Sequence, residues 1–400
     1  MWKGKNVVLG ITGGIAAYKA AELTREIVRR EAAVRVVMTR HAQEFIAPLT
    51  LETLSGNRVC TDLFTPEAPH EIDHIALARW ADVLIVAPAT ANLIGKAAGG
   101  IADDLLTTTL LATRAPVLLC PAMNDAMWEN PIVGENLDRL RHRGCAVVEP
   151  ARGSLACGTE GAGRLADLGD LLDAAEALFT PQDFSGETVL VTAGPTREPL
   201  DPVRFITNYS SGKMGYAIAH AARMRGATVI LVSGPTVLVP PGGVELVQVQ
   251  SAREMRDAVL GRLDETTVIV KAAAVADYRP TVCEDQKIKK RPGDLRLCLE
   301  RNPDIIAEIG RKKGGRILVG FAMESENLLE NARTKMRAKK MDLIVANDLR
   351  EAGAGFQGDT NVIRILSPDG RVEALPLMGK REAADRILDR IRDLRGRSGR

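Results

Sequence analysis

The sequence predicts an α/β protein made of two doubly wound parallel-sheet domains in tandem, and three observations carry that prediction. Apolar runs such as VVLGI, VLIVAPA, PVLLC, TVLVTAG, TVILVSG, TVIVKAAAV and ILVGFA are continuous rather than alternating, as strands buried on both faces require. Alanine-rich amphipathic stretches separate them, which makes helices the crossovers between parallel strands. The 400 residues exceed what one core usually organises, and the proline, glycine and polar stretch TPQDFSGE at 180–187 breaks the pattern near the middle. Domains of 1–183 and 184–400 are expected.

The elements follow in order. A strand ends at Ile11, the turn TGG follows, and a helix is expected from Ile15 to about Arg30; VRVVM is a second strand that stops at Thr39, completing a β–α–β opening. Strands at 82–87, 116–120 and 145–148 continue the alternation, and the helix DLGDLLDAAEALF closes the first half. The second half reopens with TVLVTAG, a long loop PTREPLDPVRFITNYSSGKMG, a helix through Arg225 and the strand TVILVSG. Strands near 266–271, 316–320 and 342–346 extend that sheet. NVIRILSPDGRVEALPL reads as a hairpin about Pro368, Asp369 and Gly370, and a charged amphipathic helix starts at Lys380. No fixed-period repeat is visible, so two related architectures with two separate sites are expected.

Composition narrows the function. Lysine and arginine number 53 against 51 aspartates and glutamates, and a net charge of +2 gives no reason to expect nucleic acid or an anionic membrane as a partner. The N-terminus MWKGKNVVLG lacks the apolar core of a signal peptide, and no apolar run approaches the roughly 20 residues of a membrane span. A soluble, cytoplasmic protein is expected. Six cysteines (Cys60, Cys120, Cys145, Cys157, Cys283, Cys298) form no CxxC pair, which argues against a disulfide framework and against a cysteine zinc site.

Two glycine loops invite nucleotide motifs and match neither. In GITGGIAAYKA the glycines Gly10, Gly13 and Gly14 do not make G-x-G-x-x-G, and Thr39 stands where a ribose-binding carboxylate would end the second strand. What remains is a glycine turn feeding a helix N-terminus, whose N–H groups and positive dipole end suit one phosphate. A mononucleotide such as FMN fits that better than NAD; the alternative is a tight turn with no ligand. SSGKMG is no P-loop, because Thr207 stands five residues before Gly212 and Met214 replaces the magnesium-binding Ser or Thr. Its lysine at a helix start still suits phosphate.

HEIDH, from His70 to His74, matches HExxH, in which two imidazoles one turn apart hold zinc beside a glutamate that activates water. A zinc hydrolase is the literal reading, but no third ligand is evident downstream. In the competing reading only His74 is functional. It opens the helix DHIALARWA before the strand DVLIVAPAT, where an imidazole can act as a base near neutral pH. His70 and His41 then read as solvated surface histidines.

Four segments of the first half, PATAN (88–92), AGGIADDLLT (98–107), CPAMNDAMWENP (120–131) and ACGTEGAGRL (156–165), together resemble the flavin-dependent cysteine decarboxylases, in particular those acting on phosphopantothenoylcysteine. The resemblance implies a flavodoxin-like domain holding FMN at Gly13, Gly14, Ile15, Thr39, Thr90, Ala91, Asn92 and Ala122. It also implies His74 in the oxidative decarboxylation, Asn124 of PAMN at the substrate carboxylate, and Cys157 as proton donor in the closing reduction. The chemistry it implies is oxidation of the thiol to a thioaldehyde, which supplies the electron sink that loss of CO2 needs, followed by reduction of the enethiol. The glycines around Cys157 fit a flap that closes over substrate; a packing cysteine is the bland alternative.

The second half carries TAGPTREPLDPVRFITNYSSGKMG, AAAVADYRP, KIKK, NPDI, GFAMES and AND, and resembles the bacterial, CTP-using phosphopantothenate–cysteine ligases. The resemblance implies a Rossmann-like domain in which Asn208 stabilises an acyl-cytidylate and Lys287 serves its conversion to product. It assigns the nucleotide to Ala273, Ala274, Val275, Asp277, Lys287, Asn302, Pro303, Asp304, Ile305, Phe321, Lys335 and Lys339, with Asp277 also on Mg2+. A site joining a triphosphate to a carboxylate needs cations, which Lys287, Lys289 and Lys290 can supply. Read alone, KIKKR is a solvated loop or a nonspecific RNA patch, although no aromatic residues interleave with it. NPDI reads as an N-cap at Asn302 with proline at the first helical position.

Together the halves imply a bifunctional enzyme of coenzyme A biosynthesis that takes 4′-phosphopantothenate, L-cysteine and CTP and works as a homo-oligomer. A flavin-binding regulatory protein without activity is the non-enzymatic alternative. The joint presence of His74, Asn124 and Cys157 speaks against it.

Overall fold

Each half of the protein, in a computed structural model, winds a parallel sheet outward from its own first strand, but in different orders. The structure describes residues 2–64, 73–154, 158, 160–289, 295–324, 328–348 and 358–398. Its contacts divide the chain into two units, Met1–Pro181 and Gln182–Arg400.

The first unit runs β1 (Asn6–Ile11), α1 (Lys19–Arg29), β2 (Ala33–Met38), α2 (Pro48–Ser55), α3 (Asp73–Trp80), β3 (Val83–Ala89), α4 (Ala91–Gly99), α5 (Leu105–Ala112) and β4 (Val117–Pro121). It continues with α6 (Asp125–Trp128), α7 (Pro131–His142), β5 (Ala146–Val147), a hairpin of β6 (Ala151–Ser154) and β7 (Glu160–Arg164), and α8 (Leu168–Phe179). The sheet order β2-β1-β3-β4-β5 is the flavodoxin-like one, all parallel, with its switch point between β1 and β3. Val7, Leu9 and Ile11 face one core with Leu23 and Ile27 of α1 and Leu171 of α8, while Val8 faces another with Leu93 and Ile94 of α4 and Leu105 of α5. Both faces of β1 are thus covered, which is why its sequence shows no alternation. Truncating Leu9 to alanine is expected to cost about 2–5 kcal/mol.

The second unit runs β8 (Thr188–Ala193), β9 (Arg197–Pro199), β10 (Phe205–Thr207), α9 (Lys213–Met224), β11 (Thr228–Ser233), β12 (Glu245–Gln248), α10 (Ala252–Gly261), β13 (Val268–Lys271), β14 (Tyr278–Pro280) and β15 (Leu299–Arg301). Then come α11 (Ile305–Lys312), β16 (Ile317–Glu324), α12 (Leu328–Ala338), β17 (Leu343–Asp348), β18 (Thr360–Asn361), β19 (Ile363–Leu366), β20 (Val372–Ala374), β21 (Met378–Gly379) and α13 (Lys380–Ser398). Its sheet order is β12-β11-β8-β13-β16-β17-β19-β20, parallel as far as β17 and antiparallel beyond. The six parallel strands follow the Rossmann order, and the switch point lies between β8 and β13. The charged helix α13 buries Ala383, Ile387, Leu388 and Ile391 in the core that also holds Ala219 and Ala222 of α9.

The long apolar runs form the strands expected of them, and the helix at Lys380 begins there. Five short features were not anticipated: β12, the hairpin β9–β10 inside the long loop, the pair β14–β15, the pair β18–β21 and the hairpin β6–β7. Their residues are mostly exposed or half-buried, so no apolar pattern announces them. The expected helix from Ile15 opens as one 3-10 turn, Ile15–Tyr18, before α1. Among the described residues no helix is long and apolar enough to cross a membrane.

Candidate active sites

In the first unit a cavity of about 1200 Å3 opens at the C-terminal edge of the sheet, beside the β1/β3 switch point. Its floor is the TGG turn. Thr12 Oγ1 donates to the Pro88 carbonyl at 2.7 Å and accepts from the Thr90 N–H at 3.0 Å, tying the ends of β1 and β3 together. Gly14 precedes the 3-10 turn with no side-chain cap, so the first N–H groups there are left for a ligand or water. Thr90, by contrast, caps α4 by accepting from the Leu93 N–H at 3.4 Å. Gly13 is required by contact: a Cβ there would stand 2.4 Å from the Cβ of His41.

All eight residues expected to hold FMN line this cavity, and so does Asn124. Asn124 caps α6, its Oδ1 accepting from the Ala126 N–H at 3.0 Å. The hairpin β6–β7 lies on that turn. Met123 N–H donates to the Gly163 carbonyl at 2.9 Å, and a Cβ on Gly163 would come within 2.2 Å of the Met123 carbonyl oxygen. The glycines of ACGTEGAGRL therefore let this hairpin seat against PAMN. Cys157 itself lies outside the described residues, as does His70, so neither the flap nor the HExxH helix is described there. His41, expected as a solvated surface histidine, is exposed and lines the cavity.

His74 does not line the cavity within this chain. It follows Asp73 at the start of α3, as expected, and its Nδ1 is buried without a hydrogen-bond partner among the described residues. Among those residues no three His, Cys, Asp or Glu side chains gather to hold a metal ion.

In the second unit a cavity of about 1040 Å3 occupies the switch point between β8 and β13. One wall is the run after β13, where Ala274 N–H donates to the Gly194 carbonyl at 2.9 Å and the Ala274 carbonyl accepts from Asn208 Nδ2 at 3.3 Å. Gly212, at φ 79° in the left-handed region, turns the chain into α9 with no side-chain cap. Asn208, Ala273, Ala274, Val275, Asp277, Asn302, Pro303, Asp304, Ile305, Phe321 and Lys339 all line the cavity. Lys287 and Lys335 do not. Lys290 lies outside the described residues.

The expected helix cap at Asn302 is corrected. The cap is Asp304, which accepts from the Ala307 N–H at 3.1 Å, and Pro303 precedes it. Asn302 is engaged elsewhere, donating to the Ala276 carbonyl at 2.9 Å and accepting from Arg279 at 2.8 Å. Burial pushes the Asp304 carboxyl up, but hydrogen bonds from Lys339 and the Ala307 N–H outweigh it and hold the group below its ordinary value. Lys339 reaches Asp304 at 3.0 Å, and the two elements touch: a Cβ on Gly310 of α11 would lie 2.1 Å from the Lys339 carbonyl oxygen.

The KIKK stretch is anchored by Asp201. Its carboxylate accepts from the N–H groups of Val203, Arg204 and Ile288 at 2.9, 2.8 and 3.0 Å, and Arg204 also donates to the Ile288 carbonyl at 2.8 Å. The Arg204 guanidinium foremost holds the Asp201 carboxyl far below the ordinary range. Sequence reasoning left out Lys271, Lys380 and Arg301, which line the cavity too. The available signal for Lys271 was a lysine closing the apolar run TVIVK.

Comparison with known proteins follows this division. The DNA/pantothenate metabolism flavoprotein C-terminal domain family matches residues 184–394, and the flavoprotein family matches residues 1–180. The coenzyme A biosynthesis bifunctional protein CoaBC of Bacillus subtilis (strain 168) is 49% identical over 403 residues, covering 100% of this chain and 99% of its own. Its namesake from Vibrio vulnificus (strain YJ016) is 46% identical over 396 residues, 98% of each. Among solved structures, the C-terminal domain of a coenzyme A biosynthesis bifunctional protein CoaBC is 45% identical, covering 53% of this chain and 97% of that one at a TM-score of 0.47.

Proposed function

The chain belongs to the family of coenzyme A biosynthesis bifunctional proteins CoaBC, and from that premise we propose a division of labour between its two cavities. The protein is a bifunctional enzyme that joins phosphopantothenate to cysteine and then decarboxylates the product in a flavin-dependent step. The ligase works at the β8/β13 crevice and the decarboxylase at the β1/β3 crevice. What supports this most is the grouping of the candidate residues: those for FMN, and those for the nucleotide apart from Lys287 and Lys335, line two separate cavities, each at the switch point of its own sheet.

In the ligase, the substrate carboxylate attacks the α-phosphorus of CTP and pyrophosphate leaves. The cysteine amine then attacks the acyl carbon and CMP leaves with the bonding pair. Asn208 offers an amide donor at the crevice wall for the acyl-cytidylate, and the first turn of α9, beyond the Lys213 N–H that Ser211 Oγ accepts from at 3.5 Å, offers N–H donors to a phosphate. Asp277, a carboxylate lining the cavity, would hold Mg2+, which would supply positive charge against the triphosphate. Lys287, outside the cavity, precedes Ile288, whose N–H Asp201 holds at 3.0 Å.

The residues of the first cavity fit a flavin mononucleotide. The TGG turn has uncapped N–H groups for one phosphate, and Ile15, Ala91 and Ala122 give apolar surface for a flat ring. When bound, FMN supplies a hydride acceptor for oxidising the cysteinyl thiol and returns the hydride afterwards. Asn124 binds and orients the substrate carboxylate, His74 accepts the thiol proton, and Cys157 donates the proton that completes the product. His74 and the cavity come together in a homo-oligomer.

The test supplies 4′-phosphopantothenate, cysteine, Mg2+ and CTP, and measures pyrophosphate and CO2. Both are expected in equal amounts, and ATP in place of CTP is expected to give little of either. Pyrophosphate without CO2 would remove the decarboxylase assignment; neither product would remove both.

A further inference from the structure

Four lysines line the ligase crevice, and three of them have partners. Lys213 reaches Asp359 at 2.6 Å, Lys339 reaches Asp304 at 3.0 Å, and Lys380 donates to the Gly358 carbonyl. Lys271 alone of the four makes no hydrogen bond or ion pair among the described residues. It is the last residue of β13, paired in register with Thr192 of β8 on one side and Gly320 of β16 on the other, so its side chain leaves the sheet at the switch point. Lys271 is half-buried and lines the crevice, and a partly desolvated ammonium with no partner favours a ligand that brings the counter-charge. The crevice is shaped for substrates that bring phosphate.

We propose that Lys271 is a further substrate-binding residue of the ligase, its ammonium taking a phosphate oxygen of the bound substrate. The assignment rests on the crevice being the ligase site. Two substrates carry that chemistry, the nucleotide and 4′-phosphopantothenate.

The charge state supports this geometry. Burial foremost pushes Lys271 down to about 8; the facing acids Asp304 and Asp277 work against that shift, and Lys339 adds to it. A bound phosphate restores the preference for the charged form. Above pH 8 binding therefore takes up a proton, and affinity falls as pH rises, by at most about tenfold per pH unit. Lys380, on the same crevice, is also pushed down by burial and by Lys213, so a pH profile alone would not single out Lys271.

The experiment measures binding of CTP and of 4′-phosphopantothenate, separately, to the full-length protein and to Lys271→Met and Lys271→Arg, from pH 7 to 9.5. Because both ligands bind the second unit, the ligand that keeps its wild-type affinity reports that this unit of each variant is folded. Lys271→Met is expected to weaken one of the two ligands at pH 7 by about tenfold or more. The ligand that loses affinity identifies the phosphate. Lys271→Arg, whose guanidinium stays charged, is expected to retain affinity within a few-fold and to make the alkaline fall for that ligand shallower, leaving the share that Lys380 carries. Unchanged affinities for both ligands in Lys271→Met at pH 7 overturn the assignment while leaving the ligase reading intact. A wild-type protein that binds neither ligand overturns the ligase reading and this assignment with it.

Discussion

The two crevices occupy the same place in two sheets and are lined by different sets of charged groups. Each lies where the strand order reverses, and each is entered over a glycine that gives the next turn no side-chain cap of its own, Gly14 in one unit and Gly212 in the other. In the first unit the glycine turn is closed by packing, His41 against Gly13, and of the two lining lysines, Lys19 and Lys96, the second is held by Asp103 at 2.8 Å. In the second, the walls carry Lys213, Lys271, Lys339 and Lys380, and Asp304 is neutralised by Lys339. Shared architecture thus sets where a ligand enters, and the side chains at the strand ends decide what kind of ligand it is.

The comparison breaks most sharply if one substitution silences both activities. His74→Asn is expected to lower decarboxylase kcat by about 10²–10⁴-fold and leave pyrophosphate release from the ligase unchanged. Asn208→Asp, which puts a carboxylate where the acyl-cytidylate needs an amide, is expected to cost the ligase about 10²–10³-fold while supplied phosphopantothenoylcysteine is still decarboxylated. If either variant lost both activities, the two sites would not be independent. Gly13→Ala forces His41 away from the turn, and about a tenfold or larger loss of flavin is expected, read from visible absorbance. CTP binding should not change.

Acid gives the mildest contrast. Among the described residues, seven carboxylates of the second unit are held below their ordinary values: Asp183, Asp201, Glu245, Asp304, Glu308, Asp359 and Glu373. In the first unit only Asp103 is. Each such group contributes stability that is present above its unfolded value of about 4 and is lost as pH falls below it. Several are exposed and well screened, so the effect is modest. Between pH 7 and 5 the unfolding of both units should be unaffected. Below about pH 4 the second unit should melt first, by a few degrees, which hydrogen exchange resolved by unit can follow. Simultaneous melting, or earlier loss of the first unit, would count against this contrast.

Long buried strands were legible in the sequence because burial on both faces writes continuous apolar runs; β1 and β8 could hardly be read otherwise. Short exposed strands were not, since β9 and β15 lack any buried stripe and exist because a neighbour pairs with them. The site motifs were legible where they are contiguous, as in PAMN and NPDI. Function carried by one residue at the end of one strand was harder to see. Lys271 becomes conspicuous only when β8 and β16 close on either side of it and the partners of the other three lysines are known. The cap at Asp304 was missed for a similar reason: Asn302 is the better capping residue by type, and only its engagement with Ala276 and Arg279 removes it from the competition.

The contact between Gly310 and the carbonyl of Lys339 has a consequence for turnover. Helix α11, which starts at Asp304, and the segment bearing Lys339 meet backbone to backbone, so the separation of that ion pair has little room to fluctuate. Holding an anion partner and a cation partner at fixed spacing normally means freezing two flexible side chains each time a substrate arrives. Here most of that ordering is completed once, when the chain folds, and each new substrate meets a preset arrangement of charge. A residue with no side chain thereby affects how quickly the crevice can accept its next substrate.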